Sequence, residues 1–201
     1  MFARIPKAGV RLSGKVFYSE AKLPKVFNRF NLFPGTFPHG NPSWNVDLRR
    51  LRREYLLLQS LSHPDTTSAG STPKKDEEHS RKLNEAFNII QNPVTRSQHL
   101  LELHGFDTSE KGLSAIGKNS ELLATVMDVH EQLEKVEKWQ EVKKILGENK
   151  RRMQETIKVL GAAFEKNDLE AAMQKSIELN YWAKLEKAMK EWTPGSKVKL
   201  D

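Results

Sequence analysis

Three long runs in the C-terminal half carry apolar residues at steps of three and four, a spacing that suits helices and not strands. In the first, about Ser120 to Lys138, Leu122, Val126, Val129, Leu133 and Val136 form one line. The second, about Trp139 to Lys166, sets Trp139, Val142, Leu146, Met153, Ile157, Leu160 and Phe164 in the same way. In the third, about Asp168 to Trp192, the line is Met173, Ile177, Tyr181, Leu185, Ala188 and Trp192, and Pro194-Gly195 stops it. A helix turns by about 100° per residue, so positions three and four apart share a face, whereas a strand requires strict alternation. Three amphipathic helices with short connections bury their stripes against one another as an antiparallel bundle.

The N-terminal half is also helical but more interrupted. Asp47 is placed to cap a helix in which Leu48, Leu51, Tyr55 and Leu58 make a core stripe. That helix must end before Pro64, because a proline pushes the residue ahead of it out of the helical region. After the polar "TTSAGSTPKK", a second helix is expected from about Asp76 to Gln91, with Leu83, Phe87 and Ile90 on one face and Asn92-Pro93 closing it. A short helix, "VTRSQHLLELHG", runs up to Gly105. Ahead of all three, "LFPGTFPHGNPSW" is rich in proline and glycine, carries no Asp, Glu, Lys or Arg, and is expected to be an irregular lead-in. Residues 105–118, with Gly105, Gly112 and Gly117, are expected to be a linker. The fold class is all-α, in two modules.

The 201 residues carry a net charge of +7, and its distribution is uneven. Residues 1–46 hold Arg4, Lys7, Arg11, Lys15, Lys22, Lys25 and Arg29 against the single acid Glu20, which leaves the other 155 residues at +1. A nearly neutral body argues against a nucleic-acid-binding helical protein, the reading that the basic excess first suggests, since tracking phosphates takes many clustered cations. A basic, acid-poor, Ser-containing segment resembles a mitochondrial presequence, and residues 1–30 are expected to be such a leader. No run is long and apolar enough to span a membrane. The sequence has no cysteine, and its six histidines (39, 63, 79, 99, 104 and 130) show no metal-ligand spacing, so no metal or cofactor is expected and no thiol chemistry is available.

His63-Pro64-Asp65 follows the first helix, with no nucleophile or glycine-rich oxyanion loop beside it. Taken alone, the triplet is equally a helix stop with Asp65 bonding its own turn. Its setting favours something more. "LRREYLLLQSLSHPD", a polar loop and "LNEAFNIIQNPVTRSQH" resemble a J domain, and "ELLATVMDVHEQLE" with "ELNYWAKLEKAMKEW" resembles the C-terminal bundle of the HscB family of J-protein co-chaperones of iron–sulfur cluster biogenesis. The likeness covers about residues 32–195, includes the "LFPxxFP" lead-in, and is most similar to the fungal mitochondrial type.

The resemblance implies a J domain over 31–104, a helical hairpin with its His-Pro-Asp loop, followed by a three-helix bundle over 119–195. It implies no catalytic site. The J domain would meet a mitochondrial DnaK-type chaperone in the matrix and stimulate its ATPase, while the bundle holds an IscU-like cluster scaffold protein. His63, Pro64 and Asp65 would be the contact tip, with Arg49, Arg50, Arg52 and Arg53 as the basic face that orients encounter. Leu56, Leu57 and Leu61 depart from the family pattern, standing where basic residues are common.

In the bundle, periodicity alone marks a second ribbon, Leu123 and Met127, one step round from the first seam, which suits either a partner or a wide core face. The family's scaffold-binding positions fall on Leu122, Leu123, Thr125, Met127, Glu131, Lys135 and Tyr181. The rival reading is a general mitochondrial J-protein with a different client. The Gly/Phe-rich and zinc-bearing segments of general J-proteins are absent here, which weighs against it.

Overall fold

The computed structural model describes residues 26–61, 73–109 and 120–194, the side chains of 73–76 excepted. His63, Pro64 and Asp65, most of the expected leader and most of the expected linker lie outside these residues. Within them are six α-helices: α1 (Leu48–Leu61), α2 (Pro73–Gln91), α3 (Pro93–Leu103), α4 (Ser120–Lys135), α5 (Trp139–Glu165) and α6 (Leu169–Lys190). Two short 3-10 turns, Arg29–Leu32 and Pro38–Gly40, precede them, and no strand occurs among the described residues.

Local chemistry sets the helix boundaries. Asp47 Oδ1 accepts from the backbone N–H groups of Arg49 and Arg50, both at 3.0 Å, and so starts α1. Asn92 ends α2 and caps α3, accepting from Val94 N–H at 2.9 Å, and Asp168 caps α6 through Ala171 N–H at 3.0 Å. Two expected boundaries shift. α2 begins at Pro73 and not at Asp76, because proline is preset for the first helical turn, and α4 ends at Lys135, three residues early.

α1 and α2 form an antiparallel hairpin around Leu51, Leu83 and Ile90, all fully buried. Tyr55 stacks on Phe87 with ring centroids 4.2 Å apart, and its hydroxyl donates to Asn84 Oδ1 at 2.6 Å. Gln59 Nε2 donates to the same Asn84 oxygen and to Ser80 O, while Ser80 Oγ donates back to Gln59 Oε1. Leu48, expected in the stripe, is exposed at the first position of α1. The lead-in is part of the core, since Phe30, Phe33 and Phe37 are buried. Asn28 caps the first turn and donates through Nδ2 to Gly40 O at 2.8 Å. Ordered packing therefore begins by Asn28, inside the expected leader. Gly40 is required there: its φ is +65°, and a Cβ would sit 1.7 Å from Asn31 Oδ1.

In the bundle, Val126, Val129 and Leu133 are buried as expected, and Val136 is half-buried. α5 departs from expectation. Its deepest line is Val142, Ile145, Asn149, Thr156, Leu160 and Ala163, whereas Leu146, Met153, Ile157 and Phe164 flank it and Trp139 is largely exposed. The polar members are bonded: Asn149 Nδ2 donates to Trp182 O at 2.9 Å, and Thr156 Oγ1 to Glu178 Oε1 at 2.9 Å. α6 packs against α3, α4 and α5, so it is buried at Ala172, Ser176, Leu179, Trp182 and Met189 as well as at Met173, Ile177, Leu185 and Ala188 of the expected stripe.

The two modules are packed together. Trp44, from the lead-in, inserts between them. Its ring stacks on Phe164 of α5 at 5.5 Å, and the Arg96 guanidinium of α3 lies 4.7 Å from its centroid. Gly161 makes room, since a Cβ there would come within 2.8 Å of Trp44 Nε1. Ser97 of α3 and Ser176 of α6 share a buried hydroxyl–hydroxyl bond of 2.8 Å, and Asn45 Nδ2 donates to Glu165 Oε1 at 2.8 Å.

Candidate functional site

α1 presents a face of uncommon composition. Arg49, Arg50, Arg52 and Arg53 are all exposed, and none forms an ion pair among the described residues. The one acid in the helix, Glu54, is turned away from them, its two oxygens accepting from Gly35 N–H at 2.7 Å and Thr36 N–H at 2.6 Å. Capping uses the other nearby carboxylate. The hydrogen bond from the Arg50 backbone, joined by that from Arg49 and the charges of Arg53 and Arg50, holds Asp47 below the usual carboxylate range against the opposing effect of desolvation. The row points away from Leu51, Tyr55 and Leu58, the side packed on α2. This expected basic face is thus rigidly backed and leads toward residues 62–72, which contain the His-Pro-Asp triplet.

α4 separates its two ribbons. Met127 is 64% exposed and Leu123 38%, while Val126 and Val129 lie in the core. Val126, Met127, His130 and Glu131 line an open hollow of about 260 Å³. Glu131 pairs with Lys135 one turn on, at 3.9 Å. Thr125 is half-buried and donates through Oγ1 to Glu121 O at 2.9 Å, which leaves the hydroxyl turned to its own helix. Leu122, expected both on the seam and among the family's contact positions, is 8% exposed and packs in the core. Tyr181, on α6, is half-buried against the core. Sequence reasoning missed His130 and Val126 as lining residues, although His130 lies three residues from Met127 and four from Val126 and so was legible in principle.

Two buried basic side chains, His99 and Arg96, lie on α3. His99 of α3 is 2% exposed and stacks on Phe30, and its Nε2 accepts from Arg29 N–H at 3.3 Å. Burial, then the nearby Arg29 charge, lower its pKa from the ordinary 6.5, against an opposing pull from Glu102. Burial pushes Arg96 down to about 10, still charged at neutral pH. Glu178 stays below the usual carboxylate range: desolvation would raise it, but hydrogen bonds from Lys175, Thr156 and Trp182 outweigh that. Among the described residues no group of three His, Asp or Glu could hold a metal ion, and no helix is long and apolar enough to cross a membrane.

Comparison with known proteins sets this geometry in context. Residues 118–190 match the family described as the HSCB C-terminal oligomerisation domain. The mitochondrial J-type co-chaperone JAC1 of Saccharomyces cerevisiae is 35% identical over 175 residues, 86% of this chain and 92% of that protein. The human iron–sulfur cluster co-chaperone protein HscB is 31% identical over 152 residues, 75% of this chain and 64% of that protein. The fold agrees as well: a solved structure of the yeast Jac1 co-chaperone superposes with a TM-score of 0.73, covering 85% of this chain and 97% of that one. Human HscB gives 0.69 at 29% identity, covering 81% and 80%. The chain therefore belongs to the HscB/Jac1 family of J-type co-chaperones, and its likeness to the yeast protein over nearly the whole of that protein's length fits the fungal mitochondrial type.

Proposed function

We propose that the chain works in the mitochondrial matrix as a co-chaperone of iron–sulfur cluster assembly and has no catalytic site of its own. It binds an IscU-like scaffold protein on α4 and α6, presents it to a DnaK-type chaperone, and stimulates that chaperone's ATPase through His63, Pro64 and Asp65. The observation that carries this reading is the unneutralised arginine row of α1 running toward the His-Pro-Asp triplet, since an unpaired basic face on a rigid helix suits an acidic partner.

The test is direct. His63→Gln is expected to abolish stimulation of chaperone ATPase while leaving circular dichroism and melting temperature nearly unchanged; stimulation retained at full strength would refute the assignment. For the bundle, Leu123→Ala, Met127→Ala and Tyr181→Ala together are expected to weaken scaffold binding by more than about tenfold, because apolar anchors dominate contact energies. Unchanged affinity by calorimetry would leave a general J-protein with another client as the better account.

A further inference from the structure

Leu56, Leu57 and Leu61 are 55%, 59% and 63% exposed, three large aliphatic side chains within six residues of one helix. Single exposed leucines are ordinary, but a cluster on the outer side of a helix whose inner side is already packed is not. The cluster continues the arginine face. Arg49, Arg52 and Leu56 form one ribbon at steps of three and four, and Arg50, Arg53, Leu57 and Leu61 form the adjacent one. Charge at the start of α1 thus gives way to apolar surface at its end, on the same side. Resting on the function proposed above, we infer that Leu56, Leu57 and Leu61 form an apolar extension of the chaperone contact, seated in a recess beside the acidic surface that meets the arginines. A second copy of this chain is the poorer occupant, because it would bring another uncompensated arginine row to the contact, with Glu54 already bonded to the lead-in.

The two halves of such a contact respond differently to salt. Ion screening weakens the arginine half, whereas apolar burial is insensitive to it at moderate salt. The experiment measures binding of the full chain to a purified mitochondrial DnaK-type chaperone in its ATP state, at about 0.05 and about 0.3 M salt. Leu56→Gln/Leu57→Gln/Leu61→Gln keeps helix propensity and charge, and is expected to weaken binding about tenfold by the same factor at both salts. Arg49→Gln/Arg53→Gln is expected to lose affinity mainly at low salt. Wild-type affinity in the leucine variant, or a loss that disappears at high salt, overturns the inference. So does sedimentation in which the wild type is a dimer and the leucine variant a monomer. His63→Gln serves as the control. If the wild type stimulates, His63→Gln does not, and the leucine variant matches the wild type in affinity, the inference alone falls. If the wild type neither binds nor stimulates, the proposed function falls with it.

Discussion

His99 illustrates how one buried side chain ties distant segments together. It lies 70 residues from Arg29, yet takes that residue's backbone N–H and stacks on Phe30, so the lead-in is fastened to α3 through an imidazole held neutral. The pH consequence follows from the direction of the shift. With the folded pKa lowered below 6.5, the unfolded chain binds more protons in the interval between the two values. The neutral form's contribution is complete above about 6.5 and is lost as pH falls from there through the folded value. Melting temperature is therefore expected to drop as pH falls from about 7 to about 5, and His99→Phe is expected to flatten that drop at some constant cost from the unbonded Arg29 N–H. An equally steep drop in the variant would assign the acid sensitivity elsewhere. Nothing in the sequence marked His99 for this role, because Arg29 and Phe30, which bond to it and stack on it, come from the lead-in.

At the level of elements, the apolar stripes were legible and the polar ones were not. Leu51, Leu83, Ile90, Val126, Val129 and Leu133 are buried where helical periodicity puts them. On α5, Asn149 and Thr156 occupy the deepest line, so a reading that counts only apolar side chains slides to Leu146, Met153 and Ile157 on its flank. The same blindness hid the Gln59–Ser80–Asn84 lock and the use of Glu54 by the lead-in. As candidate contacts, the arginine row and the second ribbon of α4 were visible because they break a pattern, while Leu122 is buried as its place on the seam of apolar residues requires. α5 also offers a paired test of packing against propensity. Gly147 has nothing within 4 Å of a built Cβ, and Gly161 has the Trp44 ring at 2.8 Å. Alanine at 147 is expected to stabilise the fold by about 0.5–1 kcal/mol. At 161 the same helical gain is opposed by overpacking of about 1–3 kcal/mol, so a net loss is expected in urea unfolding. Equal shifts at both sites would show that Trp44 is not seated against α5.

For the whole molecule, the feature with the widest reach is the Trp44 joint. It is built from a lead-in side chain, two α5 residues and the α3–α6 contact. Such a joint is expected to hold the halves together without backbone continuity through residues 110–119. A protease site placed in that segment and cut after folding is expected to leave a complex that elutes at the size of the intact chain. Adding Trp44→Ala is expected to let the fragments part. Fragments that separate with Trp44 in place would show that the joint needs the tether. If they stay together, the two halves behave as a noncovalent heterodimer that happens to be encoded in one reading frame, free to vary the length of its connection without disturbing how its working faces are set.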